Sequence, residues 1–489
     1  MFAFLYLITP ICLFFCTLQI TVTIPLVCLL AFIVFNLYKN IEVKPTKVSI
    51  QSALLILLFL LISGHGGFIA AAGYDIPWRN AMYYDLIRYP WPVVYDYSDS
   101  ALVYYITYWL VPAGISKIFG LKEFGSNVVL FVWTYVGLLI LFDLLCDVLK
   151  AKRNQLTLVC LIFLGWSGIN VIGMLFKSIF AKTAFQIDAY NWFNTWVFAG
   201  GELNGYALNY FLRTTLDSVA NVYNQYIHLG ICTLLFLKYR DKLEWYALIG
   251  LLALPYSPLG FIGLFLLMVL TFASELLTKK DELKSVVPKV FSGVNLAASA
   301  SILPIFYFYY TANTMADVAN NSILYLPFSK YTGLRIALLI LYYLLYFGIY
   351  AMLIYKSNKK NNLFYVSVAL LLLFPLFRVG KSADLNFNAS MAPYMIIMVL
   401  VIKEILAAVE KRRFYGSSLF LVIVLSVAML TPMMQITNSF RRCFIERRIF
   451  VMDDAPGIGG TFANKDPKDF ANFLSSNYKE SVFFKYLVK

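Results

Sequence analysis

Apolar residues recur along nearly the whole chain in runs of roughly 20, each long enough to cross a bilayer core. The runs are 2–19, 21–38, 51–72, 126–147, 156–177, 222–238, 244–256, 258–276, 287–308, 335–355, 363–378, 389–408 and 416–434. They predict an all-α polytopic membrane protein with about thirteen transmembrane helices. A β-barrel would instead show short alternating segments, so that class is excluded. Pro255 and Pro258 in "LLALPYSPLGF" separate two short runs and predict either a tight turn or a broken helix.

A further apolar run, 101–120 ("ALVYYITYWLVPAGISKIFG"), decides the orientation. Basic residues cluster at Lys39/Lys44/Lys47, Lys150/Lys152/Arg153, Lys238/Arg240/Lys242, Lys279/Lys280/Lys284, Lys356/Lys359/Lys360 and Lys411/Arg412/Arg413. If 101–120 crossed, the first cluster would face away from all the others. With 101–120 lying along the interface, every cluster faces one side, as the positive-inside rule requires. The expected organisation is a transmembrane domain, 1–434, followed by a small outer-face tail, 435–489. Residues 73–125 form a first outer loop with interfacial helices, and 178–221 a second outer loop. Residues 2–19 read as a retained helix, since no basic segment precedes them and no small-residue cleavage site follows.

Composition agrees with this reading. The chain has 489 residues, 61% hydrophobic and only 13% charged, with a mean hydropathy of +0.74. The net charge of +14 resides mostly in short topogenic clusters, so nucleic acid is not the expected partner. Of the 7 cysteines, all but Cys443 lie in or beside apolar runs, so neither a disulfide framework nor a thiolate metal site is predicted.

The polar chemistry concentrates in the outer segments. "GYDIPWRNAMYYDLIRYPWPVVYDYSD" (73–99) places Asp75 just beyond an apolar run, with Pro77 suited to open a helix that Pro90 stops. On that helix Trp78, Met82, Asp85 and Tyr89 share one face with Arg88 beside them, a pattern suited to lying at the headgroup level. Asp75 is either a favourable charge at the helix start, worth about 0.3–1 kcal/mol, or a base at the mouth of a membrane cavity. Asp85, Asp96 and Asp99 read as solvated loop charges.

Cations near the outer face suit the binding of a phosphate, because charge stabilisation strengthens where water is scarce. The candidates are Arg79, Arg88, Lys182, Arg213, Lys330, Arg335, Arg378 and Lys381. "FRVGKSADLNFNASMAP" (377–393) brings Arg378, Lys381, Asp384, Asn386 and Asn388 into one short segment. The second loop, with Tyr190, Trp192, Glu202 and the nearby Asn224, offers aromatic faces and polar groups suited to sugar rings. Interfacial aromatic belts use the same residues. His65 and His228 are weak metal candidates and more readily packing residues. "DDAPGIGGT" (453–461) lacks the lysine of a phosphate loop and reads as a turn.

An acidic residue beyond a membrane helix, then an amphipathic helix, then Tyr108-Trp109-Leu110, Phe119-Gly120 and a new span resembles the first outer loop of GT-C glycosyltransferases. The layout is similar to the aminoarabinose and protein O-mannosyl transferase branches, with Asp75, Arg79 and Trp91-Pro92 among the matching residues. The likeness in motif covers about residues 60–150. The Asp-Glu pair of those branches is Asp75-Ile76 here, and their Lys-Pro-Pro is missing.

The resemblance implies an inverting enzyme that takes sugar from a polyprenyl-phosphate carrier on the outer face, with Asp75 as base. Arg79, Arg88, Arg213, Arg378 and Lys381 would hold the phosphate. Trp78, Asp85, Tyr190, Trp192, Glu202, Asn224 and Asn386 would contact sugar or acceptor. The expected acceptor is an envelope glycan or glycolipid, and the expected location a bacterial inner membrane with the site facing outward. A divalent metal (Mg or Mn) stays open as a cofactor. A polymerase or ligase using a diphosphate-linked donor, and a transporter of lipid-linked sugar, stay open as alternatives.

Overall fold

The computed structural model describes the chain except residues 43–44, 70–75, 170, 173–174, 176–178, 180–197, 204–205, 211, 279–282, 314–323, 325–328, 330–331, 380–383, 413–414 and 448–472. Asp75, Lys182, Tyr190, Trp192, Lys330, Lys381 and the 453–461 turn lie outside the described residues.

The first part of the chain forms α1 (Phe2–Phe15), α2 (Ile20–Asn40), α3 (Ile50–Ile62), α4 (Ile76–Arg88), β1 (Val94–Tyr95), β2 (Ser100–Leu102), α5 (Leu110–Ile118), α6 (Glu123–Val148) and α7 (Leu156–Leu164). The middle part adds β3 (Phe198–Leu203), β4 (Tyr206–Tyr210), α8 (Thr215–Asn221), α9 (Tyr223–Lys238), α10 (Tyr246–Leu251), α11 (Pro258–Thr278), α12 (Leu283–Val290), α13 (Gly293–Ser301) and α14 (Leu303–Thr311). The last part holds α15 (Gly333–Tyr343), α16 (Ile349–Ile354), α17 (Asn362–Leu373), α18 (Asp384–Ala389), α19 (Met391–Glu410), α20 (Ser417–Ala428), α21 (Leu430–Phe444) and β5 (Leu474–Ser475).

The protein is mainly helical. Among the described residues, six helical stretches are long and apolar enough to cross a membrane: Ile20–Asn40, Glu123–Val148, Pro258–Leu277, Arg335–Ile354, Asp384–Glu410 and Ser417–Phe444. Shorter apolar helices cover Phe2–Phe15, Ile50–Ile62, Arg153–Leu164 and Asn362–Leu376. Several expected runs are interrupted. The run 51–72 stops being α-helical after Ile62, where Gly64 and Gly66 take positive φ. The run 287–308 divides at Ile302, just before Pro304. Pro255 and Pro258 mark a turn between α10 and α11.

A parallel trio forms the centre. Helix α9 packs on both α6 and α19, and its residues from Tyr223 to Phe236 are buried throughout. The C-terminal ends of all three lie at one end of the bundle. There Lys238 Nζ is 2.7 Å and Lys47 Nζ 3.6 Å from Asp147, while Lys152 Nζ is 2.8 Å from Glu410. Their N-termini therefore meet at the opposite end, away from these basic clusters.

The expected all-helical class needs a small correction at that opposite end. Strands β1, β2 and β5 form an antiparallel ribbon in that order, pairing Leu102 with Leu474, and β3 pairs with β4. Residues 101–120 are broken into strand, 3-10 turn and the nine-residue α5, none of which is long enough to cross alone. Helix α4 departs from the expected half-immersed surface helix, since Ala81 to Leu86 are buried on every side. The cause is polar as well as apolar. Tyr83 Oη donates to the Ser126 carbonyl at 2.7 Å and Tyr84 Oη to Asn127 Oδ1 at 2.8 Å, which seats α4 on the start of α6.

Cysteines placed at Lys152 and at Lys479, in a variant lacking the native thiols, test which segments share an end. A membrane-impermeant maleimide added to sealed vesicles is expected to label only one of the two before permeabilisation. Labelling of both from the same side contradicts the arrangement.

Candidate functional site

Three segments distant in sequence meet at the end away from the basic clusters. The first is α4 with the residues after β2. Arg79 is buried; its Nη1 donates to Tyr104 Oη at 2.7 Å and its Nε to the Asn221 carbonyl at 3.3 Å. The guanidinium also lies 5.4 Å from the Tyr104 ring centre. Tyr104 is fixed in turn, because its backbone N–H donates to Tyr309 Oη at 3.1 Å and Tyr309 Oη donates to the Tyr104 carbonyl at 2.9 Å. Its hydroxyl also bonds that of Tyr105.

The second segment is α8 and the turn before it. Thr214 caps the helix by accepting from the Asp217 N–H at 2.9 Å. One turn along, Asp217 receives Arg213 Nη1 at 2.9 Å and Asn221 Nδ2 at 2.6 Å. A chain of contacts thus runs from Arg79 through Asn221 and Asp217 to Arg213. Charges this buried persist only when paired, because stripping water from an ion costs several kcal/mol.

The third segment is α18 and the start of α19. Arg213 lies over the Phe387 ring at 5.6 Å. Asn386 Nδ2 donates to Tyr342 Oη at 3.3 Å, and Ser390 Oγ to Asn386 Oδ1 at 3.2 Å. Gly263 lets α11 press on this segment, since a Cβ there would collide with the Ala389 backbone. The Tyr105 phenol is pushed above its ordinary pKa, first by burial and then by Tyr104 and Asp384, with Arg79 opposing.

The sequence candidates divide accordingly. Arg79, Arg213 and Asn386 are brought together, while Arg378, six residues before α18, is buried. Arg88 stands apart: it is half-exposed, 3.7 Å from Glu123 and over the Tyr84 ring. Trp78 is partly buried on α4. Asp85 is corrected, since it is buried and accepts from Tyr95 Oη at 2.6 Å, a packing partner and not a solvated charge. Asp99 does sit at the surface, 2.6 Å from Lys479. Glu202 lies on β3 opposite Ala207, and Asn224 is enclosed in α9.

His65 Nε2 bonds Thr134 Oγ1 at 2.7 Å, and His228 stacks on Tyr256 with ring centres 3.7 Å apart. Among the described residues no group of three or more metal-ligating side chains assembles. The groups gathered here are guanidinium, phenol and amide, with the Asp217 carboxylate among them. Sequence reasoning missed Tyr104, Asp217 and Asn221. Asp217 was legible as the i+4 partner of Arg213.

Beside Arg213 lies a narrow cleft of about 20 Å³, room for roughly one water, lined also by Trp166, Tyr226, Phe387, Ser390 and Tyr394. A wider groove at the opposite end is bordered by Lys47, Asp143, Asp147 and Lys238. No family model, curated protein or solved structure matches the chain.

Asp217→Ala leaves Arg213 buried without that carboxylate and is expected to cost about 3–5 kcal/mol of stability, read by denaturant unfolding in lipid nanodiscs. The double variant Arg213→Met/Asp217→Leu should recover most of the loss. A single-variant loss below about 1 kcal/mol, as for exposed pairs, contradicts the buried-pair description.

Proposed function

We propose that the protein is a membrane glycosyltransferase of the GT-C type, with about thirteen spans, moving sugar from a polyprenyl-phosphate carrier to a glycan or glycolipid acceptor. The site is the polar end away from the basic clusters, which positive-inside topology makes the outer face. The observation that carries this reading is the chain of contacts from Arg79 to Arg213, joined through Phe387 to α18 with its Asp384 and Asn386.

Such an end suits a reaction whose leaving group gains negative charge. In the proposed step the acceptor hydroxyl oxygen attacks the anomeric carbon and the bond to the phosphate oxygen breaks. The phosphate departs with the electron pair, and the hydroxyl proton passes to Asp75. Arg79 and Arg378 face the growing phosphate charge, and low local dielectric raises their effect. A single displacement inverts the anomeric carbon. Among the side chains of α9, the amides Asn224 and Gln225 and the imidazole of His228 lie in its first two turns, which favours chemistry at this end over passage through the bundle.

Transfer from labelled polyprenyl-phosphate sugars in membrane vesicles tests the reading. Arg79→Ala should lower the rate by about 10²–10³-fold, with Arg79→Lys retaining more activity. Asp75→Asn should abolish transfer while donor binding persists. Wild-type rates in both Arg79→Ala and Asp75→Asn would refute the assignment.

A further inference from the structure

The groove at the end that carries the basic clusters has a cavity volume of about 850 Å³, within the roughly 300–1,000 Å³ of ligand pockets. Its long wall is one face of α6, where Val136, Leu139, Ile140, Asp143, Leu144 and Asp147 line it at the spacing of a helix stripe. From Val136 to Asp147 that face measures about 16 Å at the helical rise, close to half of a ~30 Å hydrocarbon core. The start of α3 adds Ile50 and Ala53 to the lining. Val136 is 39% and Ile50 82% exposed, so the apolar floor is uncovered. The three positions farthest along α6 from the charged end are apolar, and the two carboxylates come at the other. A cleft one leaflet long, apolar at one end and charged at the other, has the profile of a lipid and not of a compact polar metabolite.

The charged rim decides which lipid. Its side chains set three carboxylates, Glu42, Asp143 and Asp147, against two ammonium groups, Lys47 and Lys238, a sum of −1. With the Met1 amine charged the rim is neutral, and in neither case does it attract an anionic headgroup. Both lysines turn to one carboxylate, Lys238 Nζ at 2.7 Å and Lys47 Nζ at 3.6 Å from Asp147. Asp143 receives only neutral donors: its Oδ1 accepts from the Lys47 N–H at 2.6 Å and from Thr46 Oγ1 at 3.0 Å. Among the described residues no cationic group pairs with it. An ionised carboxylate beside hydrocarbon is costly without a partner, and a primary ammonium supplies both the opposite charge and N–H donors. Lys47, with its side chain 34% exposed, stands at the same rim for a phosphate.

We propose that this groove holds one phospholipid with a primary-amine headgroup, of the phosphatidylethanolamine class. Its ammonium donates to Asp143, its phosphate lies beside Lys47, and one acyl chain runs along Val136, Leu139 and Ile140. A choline headgroup has the charge without the N–H donors, and a glycerol headgroup leaves the lipid anionic. The site is independent of the proposed sugar transfer, because it uses no residue of the Arg79–Arg213 end.

The full chain, stripped of lipid in detergent, is titrated with phosphatidylethanolamine, phosphatidylcholine and phosphatidylglycerol of identical acyl chains, and bound lipid is counted by native mass spectrometry. The ethanolamine lipid should bind about 3- to 10-fold more tightly than the choline lipid, the effect of one net hydrogen bond, with the glycerol lipid weakest. Asp143→Asn, whose amide oxygen can still accept from Thr46 and Lys47, should abolish the preference for ethanolamine over choline. Leu139→Trp, which fills the apolar floor, should weaken binding of all three, with the unfolding midpoint of both variants checked in parallel. An ethanolamine lipid carrying a diazirine on its acyl chain should leave adducts within 45–53 and 136–147. The proposal is overturned if the glycerol lipid binds as well as the ethanolamine lipid, or if ethanolamine and choline lipids bind alike. Wild-type selectivity in folded Asp143→Asn, or adducts confined to other segments, overturns it equally.

Discussion

Keeping two guanidinium groups largely out of water at one end of an apolar bundle is the constraint on which the architecture of that end depends. Ionised side chains in so water-poor a setting are costly unless their donors and acceptors are met. Arg79 meets that demand through the Tyr104 hydroxyl and the Asn221 carbonyl, and Arg213 through Asp217. Because Asn221 also donates to Asp217, the two solutions are linked. Residues separated by more than a hundred positions thus settle into place together, and α4 is tied to α8 and the helical core beneath it. The parallel course of α6, α9 and α19 brings their first turns to the same end, opposite the Lys238–Asp147 and Lys152–Glu410 pairs.

The C-terminal segment closes this end. Strand β5 pairs with β2 directly before Tyr104, and the Phe473 ring lies 4.8 Å from that of Tyr104. Ser475 Oγ donates to the Ala312 carbonyl at 2.5 Å, and the Gln19 N–H donates to the Leu487 carbonyl at 2.8 Å. The last residues therefore tie the turn between α1 and α2 to the loop that holds Arg79. A ribbon edge that would otherwise carry unmet backbone groups is covered in the same step.

Much of this was readable from the chain, and the failures have physical causes. Apolar run length gave the helical membrane class, and the charge clusters placed Lys47, Lys152 and Lys238 at one common end. Periodicity misjudged α4, because amphipathy reports an uneven face but not what covers it. Tyr83 and Tyr84 find their acceptors at Ser126 and Asn127, a pairing made only by the tertiary fold. Asp217 shows in "LRTTLDSVAN" only as the i+4 neighbour of Arg213, and its burial comes from the tertiary fold. Helix breaks at Ser63 and Ile302 likewise depend on local backbone geometry that hydropathy does not register.

The central claim is that lipid-linked sugar meets this protein at the Arg79–Arg213 end. Photo-crosslinking with a polyprenyl-phosphate sugar carrying a small diazirine beside the phosphate, followed by peptide mapping, tests it most directly. The account predicts adducts within 76–109, 212–226 and 377–398, competed away by unlabelled donor. Competable adducts confined to the opposite groove around Lys47, Asp147 and Lys238 would contradict it.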